Sequence, residues 1–375
     1  MAGPLEGLLV VAIEQAVAGP TCTCRLADAG ARVIKIERPE GDFARGYDSV
    51  VEGESAYFVW LNRGKESVVL DLKNPDDRDL VLAMLGEADV LVENLKPGSL
   101  ERLGIEPAAI MAGNPRLIVA SISGFAADGP NRDRKSYDLL IQAETGLASI
   151  TGAPSEAGRV GVSICDISTG MNAYQAILEA LLARAQTGKG CRIEVSLFDT
   201  MADWMTVPLL HHDYGGKAPG RVGLGHPSIA PYGVFQTGDG GELLIAVQND
   251  REWRILATEV LGRADLADHP DFAANAARAR DRAATDAVVN DALASMTRDQ
   301  AIAALETAGI AWASYNGVDG LSTHEELHRM AVETPHGSAN IPAPAARHDG
   351  QHRPPGRIPA LGEHTDAVRL EFGKV

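Results

Sequence analysis

Cysteine is scarce in this chain. Cys22, Cys24, Cys165 and Cys191 are the only four among 375 residues. So few thiols in so long a chain exclude a disulfide-built scaffold and point to a reducing compartment. Cys22 and Cys24 form a lone C-x-C without a second pair, which argues against a structural zinc. Basic charge is also short: 34 Lys and Arg stand against 51 Asp and Glu, a net charge of −17. That balance speaks against nucleic-acid or anionic-membrane partners. Any anionic ligand must therefore be held by a local basic cluster. Long apolar runs are missing too. The N-terminal run Leu8–Ile13 has six residues and no basic segment before it, unlike a signal peptide. No stretch approaches the ~20 apolar residues that span a bilayer. The expected location is the cytoplasm. Finally, the chain lacks a G-x-S-x-G elbow, a Walker A loop and a well-placed G-x-G-x-x-G, so serine-hydrolase, P-loop and NAD-dehydrogenase readings lose their usual entry points.

What is present is an ordinary globular composition, 45% hydrophobic and 23% charged, at a length that suits two to three domains. Short β-rich runs "LLVVAI", "RVIKIE", "SVVLDLK", "DVLVEN" and "LIVASIS" alternate with segments of helical character, such as "NPDDRDLVLAMLGEA". That alternation implies βαβ units and a mainly parallel, Rossmann-like sheet. The expected large α/β domain covers residues 1–200 and is completed by 331–375. A Gly- and Pro-rich linker follows at 201–225, then a smaller α+β domain at 226–330 with Ala-rich helices.

One acid stands out in "VGVSICDISTGMNAYQAILEALLARAQTGKG". Asp166 sits where an apolar run hands over to a helix expected from Met171 to about Ala185. Asp at such a join is a favoured N-cap; a rigidly held nucleophile or base is the other reading. Two further patterns suggest metals. "HEELH" at His324–His328 matches the H-E-x-x-H of zinc hydrolases, with Glu325 as base. It lies in a polar stretch without a third ligand. His211, His212 and Asp213 are consecutive, and consecutive side chains point different ways, so they rarely ligate one ion together. No metal site is expected.

The segments "AGPTCTCRLADAGARVIKIERPEGD", "NRGKESVVLDLKNP", "DVLVENLKPGSLERLGI", "YDLLIQAETGLASITG", "VGVSICDISTGM", "GIAWASYNGV" and "PALGEHTDAV", in that order, resemble the family III CoA-transferases, the formyl-CoA and carnitine CoA-transferase group. The resemblance covers nearly the whole chain. It implies an enzyme that moves CoA between carboxylic acids, with CoA as substrate and product and no permanently bound cofactor. It implies that Asp166 attacks the acyl-CoA thioester, giving first a mixed anhydride and then an aspartyl-CoA thioester. It implies a CoA site formed by Val17, Ala18, Arg38, Leu72, Asn94, Leu95, Arg102, Lys135 and Tyr137. Arg38, Arg102 and Lys135 would supply the local positive charge. It also implies an interlocked homodimer. Val17 and Ser123 depart from the glutamine and lysine of formyl-CoA transferase, which puts oxalate-type chemistry in doubt. The α-methylacyl-CoA racemases of the same family are the alternative, but Tyr137 stands where they carry a histidine. The loop "GLGHPSIAPYGVFQTGDG" most resembles members that act on small dicarboxylates with succinyl-CoA, and His226 and Arg221 are the expected acceptor ligands.

Overall fold

A computed structural model describes residues 3–373. Its contacts divide the chain into two compact units. The first comprises Met1–Leu147, Val160–Val207 and His328–Val375, and the second Ala148–Arg159 and Pro208–Leu327.

In chain order, the first unit contains β1 (Leu9–Ile13), α1 (Ala18–Asp28), β2 (Arg32–Glu37), β3 (Lys65–Val69), α2 (Pro75–Glu87), β4 (Val90–Glu93) and β5 (Ile118–Ser123). It continues with α3 (Asp138–Glu144), α4 (Ile164–Thr187), β6 (Arg192–Ser196) and α5 (Leu197–Trp204). The six strands form one parallel sheet in the order β3-β2-β1-β4-β5-β6. Side chains alternate across a strand, and this sheet is covered on both faces. Val10 and Ala12 of β1 join Val90, Val92, Ile118 and Ala120 against α1, α4 and α5. Val11 and Ile13, one residue out of phase, join Leu91 and Val119 against α2. A strand buried on both faces reads as a continuous apolar run, which is why "LLVVAI" shows no alternation in the sequence.

Strand order reverses at β1, which pairs with β2 on one side and β4 on the other. Connections leave that point in opposite directions, opening a crevice outside the carboxyl ends of the strands. The residues that follow β1 and β4, from Glu14 and Asn94 onward, therefore line the natural ligand site of the unit.

The second unit has an antiparallel sheet of β7 (Tyr232–Gln236), β8 (Glu242–Ala246) and β9 (Ala311–Ser314), with β8 central. Helices α6 (Arg282–Leu293) and α7 (Arg298–Ala308) pack with it around Trp253, Leu243 and Ile245. Helix α7 starts at a reciprocal capping box between Thr297 and Gln300 and stops at Gly309 in the left-handed conformation, start and stop signals of the kind the sequence carries. The last stretch belongs to the first unit: a hairpin of β10 (Arg329–Thr334) and β11 (Gly337–Pro342), then α8 (Thr365–Phe372).

Three local expectations are corrected. No strand runs directly into Asp166; the helix begins at Ile164, seven residues earlier than Met171, and ends at Thr187. The Ala-rich stretch is broken at Asp281, whose side chain accepts from Ala284 N and starts a new helix. "HEELH" is a turn leading into β10, with the His324 ring accepting from Glu326 N at 3.2 Å. Without a helix, His324 and His328 do not share a face, and the zinc-hydrolase geometry is absent.

Candidate active site

Helix α4 has Ser163 as its N-cap residue, and no side chain closes that cap. Asp166 lies inside the first turn, so the capping reading fails: its carboxylate caps nothing. The free amides are served from outside by Asp138, on α3. Asp138 Oδ1 accepts from Cys165 N at 2.7 Å and Asp166 N at 3.3 Å, and Oδ2 accepts from Gln142 at 2.7 Å. Asp166 thus faces a second carboxylate and, among the described residues, has no cationic partner. Burial, reinforced by the charge of Asp138, pushes its pKa up to about 7. A carboxylate whose ionised form is disfavoured by desolvation is also a more basic, more reactive one. The adjacent thiol is poorly suited to attack. Burial and Asp138 push Cys165 up to about 12, so almost no thiolate forms at neutral pH.

What lies opposite Asp166 follows from Gly170, one turn later in α4. A Cβ at Gly170 would come within 2.5 Å of Ala18 O and 2.6 Å of Thr21 Cβ. Glycine is therefore required for α1 and α4 to cross this closely, and the crossing brings the start of α1 beside the first turn of α4. The first amides of α1 have no intrahelical acceptor, as at any helix start. Their positive end favours negative charge.

The turn leading into α1 is fixed from three sides. Asn94 accepts from Gln15 N and donates to Gln15 O, both at 2.9 Å. Asp42 Oδ1 accepts from Ala16 N at 3.0 Å, and Thr21 donates to Val17 O. Ala16 is left-handed, with φ of 62°, a conformation that costs an L-residue about 1–2 kcal/mol and persists only where its surroundings enforce it. Beneath the turn lies a buried charge cluster. Lys65 donates to Glu14 at 2.7 Å and Lys35 to Asp42 at 2.8 Å, all four side chains having no exposed surface. Glu37 is likewise buried and is gripped by Arg45 at 2.7 Å and Ser67 at 2.6 Å. Burial alone would raise Glu37, but Arg45, Lys35 and Ser67 hold it down at about 2. Burial would depress Lys35, but Glu14 and Asp42 keep it above its usual value.

At the strand ends, a cleft of about 230 Å³ is lined by residues that include Gln15, Arg38, Leu72, Lys73, Leu95 and Leu103. Its chemistry, an apolar slot with Arg38 and Lys73 at the wall, fits a nucleotide better than a small acid. The cleft continues from the turn before α1, so a ligand laid along it ends beside that turn.

The chain resembles known proteins along nearly its whole length. The model for CoA-transferase family III matches residues 5–365. The chain belongs to that family. It is similar to the acetyl-CoA:oxalate CoA-transferase of Acetobacter aceti, 37% identical over 99% of this chain and 96% of that one. It is similar to the succinate–glutarate CoA-transferase of Agrobacterium fabrum at 32% identity, over 98% and 96% of the two chains. Among solved structures, a CAIB/BAIF family protein from Brucella suis superposes with a TM-score of 0.85 at 36% identity, covering 99% of this chain and all of that one. The protein is a family III CoA-transferase, an enzyme whose substrates are CoA thioesters and carboxylic acids.

Within this CoA-transferase, the residues expected from the sequence divide into three groups. Arg38, Leu72 and Leu95 line the cleft, and Val17 and Ala18 form the turn and first residue of α1. Asn94 stands at the same place, but its amide is used by the backbone of Gln15. Arg102 is exposed and donates to Ser99 at 2.7 Å. Lys135 is exposed at the surface and Tyr137, also exposed, directly precedes α3. The expected acceptor ligands are otherwise engaged. Arg221 donates to the carbonyls of Ala153, Ser149 and Pro154. The His226 ring accepts from Ser228 N at 3.2 Å and stacks on Tyr232. Both side chains make these contacts within turns of the second unit. His212 bonds its neighbour Asp213 at the surface.

Sequence reasoning missed four residues here. Asp138 and Tyr47 border Asp166; burial, then Asp42 and Asp166, push the Tyr47 phenol up to about 12. Asp42 and Gln15 build the turn. Asp138 had a signal, since it follows Tyr137 in "RKSYD". The other three had none, because each acts through partners distant in the chain.

Proposed function

We propose that this CoA-transferase moves CoA from an acyl-CoA donor, succinyl-CoA in the favoured case, to a small dicarboxylic acid, with Asp166 as nucleophile. The observation that carries the reading is the state of Asp166: half-buried, without a cation among the described residues, at the start of α4 and one turn before the glycine where α4 crosses α1. In the first step an Asp166 oxygen attacks the thioester carbon, the C–S bond breaks and CoA leaves as thiolate. The thiolate then attacks the Asp166 carbonyl of the mixed anhydride, releasing the donor acid. The acceptor carboxylate next displaces CoA from the aspartyl thioester. In the last step CoA attacks the acceptor's acyl carbon and Asp166 departs as carboxylate. Covalent catalysis splits one difficult exchange into easier steps. The first amides of α1 are suited to stabilise the oxyanions.

Arg38 in the cleft and the exposed Lys135 are proposed to meet CoA phosphates, with Leu72 and Leu95 against the base and Tyr137 near the thioester. The similarity to enzymes named for glutarate, mesaconate and oxalate supports a dicarboxylate acceptor. Exposed Met171, Leu182 and Trp204 support a self-associating surface, and we propose a homodimer interlocked as the family resemblance implies. Among the described residues no helix is long and apolar enough to cross a membrane.

The test is an acceptor screen with succinyl-CoA, reading new CoA esters by mass spectrometry, in wild type and Asp166→Ala. Wild type is expected to esterify C4–C5 dicarboxylates faster than butyrate, and the variant to lose at least a thousandfold in turnover while still binding CoA. A preference for monocarboxylates removes the dicarboxylate assignment. Enzyme-dependent deuterium at the α-carbon of a 2-methylacyl-CoA in D2O, without an acceptor, points to the racemase reaction instead.

A further inference from the structure

The turn Gln15–Val17 carries the reactive end of the proposed site, yet nothing in its own sequence makes it stable. It has no glycine at the left-handed position, where Ala16 has φ of 62°, and no regular ladder holds it. Asp42, in the loop after β2, is placed to do so. Its Oδ1 accepts from two backbone amides, Ala16 N at 3.0 Å and Ala44 N at 2.9 Å. Its Oδ2 is taken by the Lys35 ammonium at 2.8 Å. Its own amide donates to Glu37 at 2.9 Å. Both oxygens are engaged and the side chain has no exposed surface, so Asp42 has no free position for a substrate proton. It is not a general base.

The cluster around it is balanced. Glu14, Glu37 and Asp42 face Lys35, Lys65 and Arg45, one base for each acid. A balanced, fully bonded buried network is rigid, and removing one member leaves a buried charge without a partner. This is an arrangement suited to enforcing a strained turn from below. From the network we infer that Asp42 is a positioning residue for CoA transfer: by holding the Ala16 amide, with Lys35 behind it, it fixes the turn that aims the start of α1 at Asp166.

The inference rests on Asp166 being the nucleophile, so its test includes a measurement that does not. Three variants are compared. Asp42→Ala removes both the amide bond and the ion pair. Asp42→Asn keeps an oxygen for the amides and loses the charge and the Lys35 bond, its NH2 taking the place of Oδ2. Ala16→Val leaves the buried network intact and loads the left-handed turn with a β-branched residue, so it remains informative if Asp42→Ala does not fold. Kinetics give kcat and KM for the acyl-CoA, calorimetry gives Kd for CoA, and hydrogen exchange follows the peptide spanning Ala12–Pro20.

We expect Asp42→Ala to lose about 10–100-fold in kcat, the scale of a misplaced reacting group, while Kd for CoA moves less than about threefold. Asparagine should recover at least a third of the wild-type kcat, and Ala16→Val should lose about 3–10-fold. The Ala16 amide should be protected in wild type and in Asp42→Asn and exchange freely in Asp42→Ala. The inference is overturned if the amide stays protected in Asp42→Ala, or if asparagine loses as much kcat as alanine. A wild type without transferase activity, or an active Asp166→Ala, would refute the functional reading instead, and the exchange data would still judge the hold on the turn.

Discussion

Two sets of acidic residues stand on either side of the same turn and are treated in opposite ways. Below it, Glu14, Glu37 and Asp42 are fully buried and each has a cation and several donors. Above it, Asp166 is only half-buried and has another carboxylate, Asp138, as its nearest charge. Burial acts on both sets in the same direction. The partners decide the outcome, holding Glu37 at about 2 and leaving Asp166 at about 7. One set is paired framework; the other is left unpaired, and the proposed reading makes it the reactive one. Reactivity here is a matter of withheld pairing, not of residue type.

The comparison is broken most severely from below. Lys65→Met removes the ammonium that Glu14 holds at 2.7 Å and leaves a buried carboxylate with a weaker partner. The expected cost is about 3–5 kcal/mol of stability, measured by urea unfolding. A loss under about 1 kcal/mol would mean that the network contributes no rigidity. Gly170→Ala comes next. Its methyl group meets Ala18 O at 2.5 Å, so α1 must move off α4, at about 1–3 kcal/mol, and activity should fall more than stability does. Unchanged activity would separate the helix crossing from the chemistry.

A smaller effect sharpens the contrast through pH. Asp166 is raised in the folded state, so the folded protein binds its proton more tightly than the unfolded chain does. Stability is therefore lost as pH rises between the ordinary Asp value and about 7. Asp166→Asn should melt a few degrees above wild type at pH 8 and equal it near pH 4. In wild type, kcat/KM should rise with pH through about 7 as the nucleophile ionises. Glu37, depressed to about 2, contributes stability that is present above the ordinary Glu value and lost only as pH falls toward 2. The smallest effect lies outside both sets. His226→Ala should change kcat/KM less than about twofold on any acceptor, because its ring serves Ser228 N. A tenfold loss confined to dicarboxylates would restore it as an acceptor ligand.

The contrast also explains which parts were legible in the sequence. The sheet was, because strands buried on both faces print as apolar runs, and "LLVVAI" and "RVIKIE" became β1 and β2 nearly residue for residue. Asp166 was legible through the motif around it, although its helix start was misread, since Val160–Ser163 is apolar enough to suggest a strand. The buried network was not. Glu14 meets Lys65 across 51 positions, and a lysine inside "VIKIE" carries no mark of the acid that will neutralise it. "HEELH" shows the converse: five residues give a helical spacing without the apolar face that makes a helix form. Arg221 was legible as a cation and not as one whose guanidinium three carbonyls already occupy.

The central claim is that the unpaired carboxylate carries the acyl group. Wild-type enzyme turning over succinyl-CoA and an acceptor is quenched with hydroxylamine, digested and sequenced by mass spectrometry. The account predicts a hydroxamate on Asp166 of the peptide containing "SICDISTGM", formed only when the thioester is present. A hydroxamate on Asp138, or none on the chain while turnover proceeds, would contradict it.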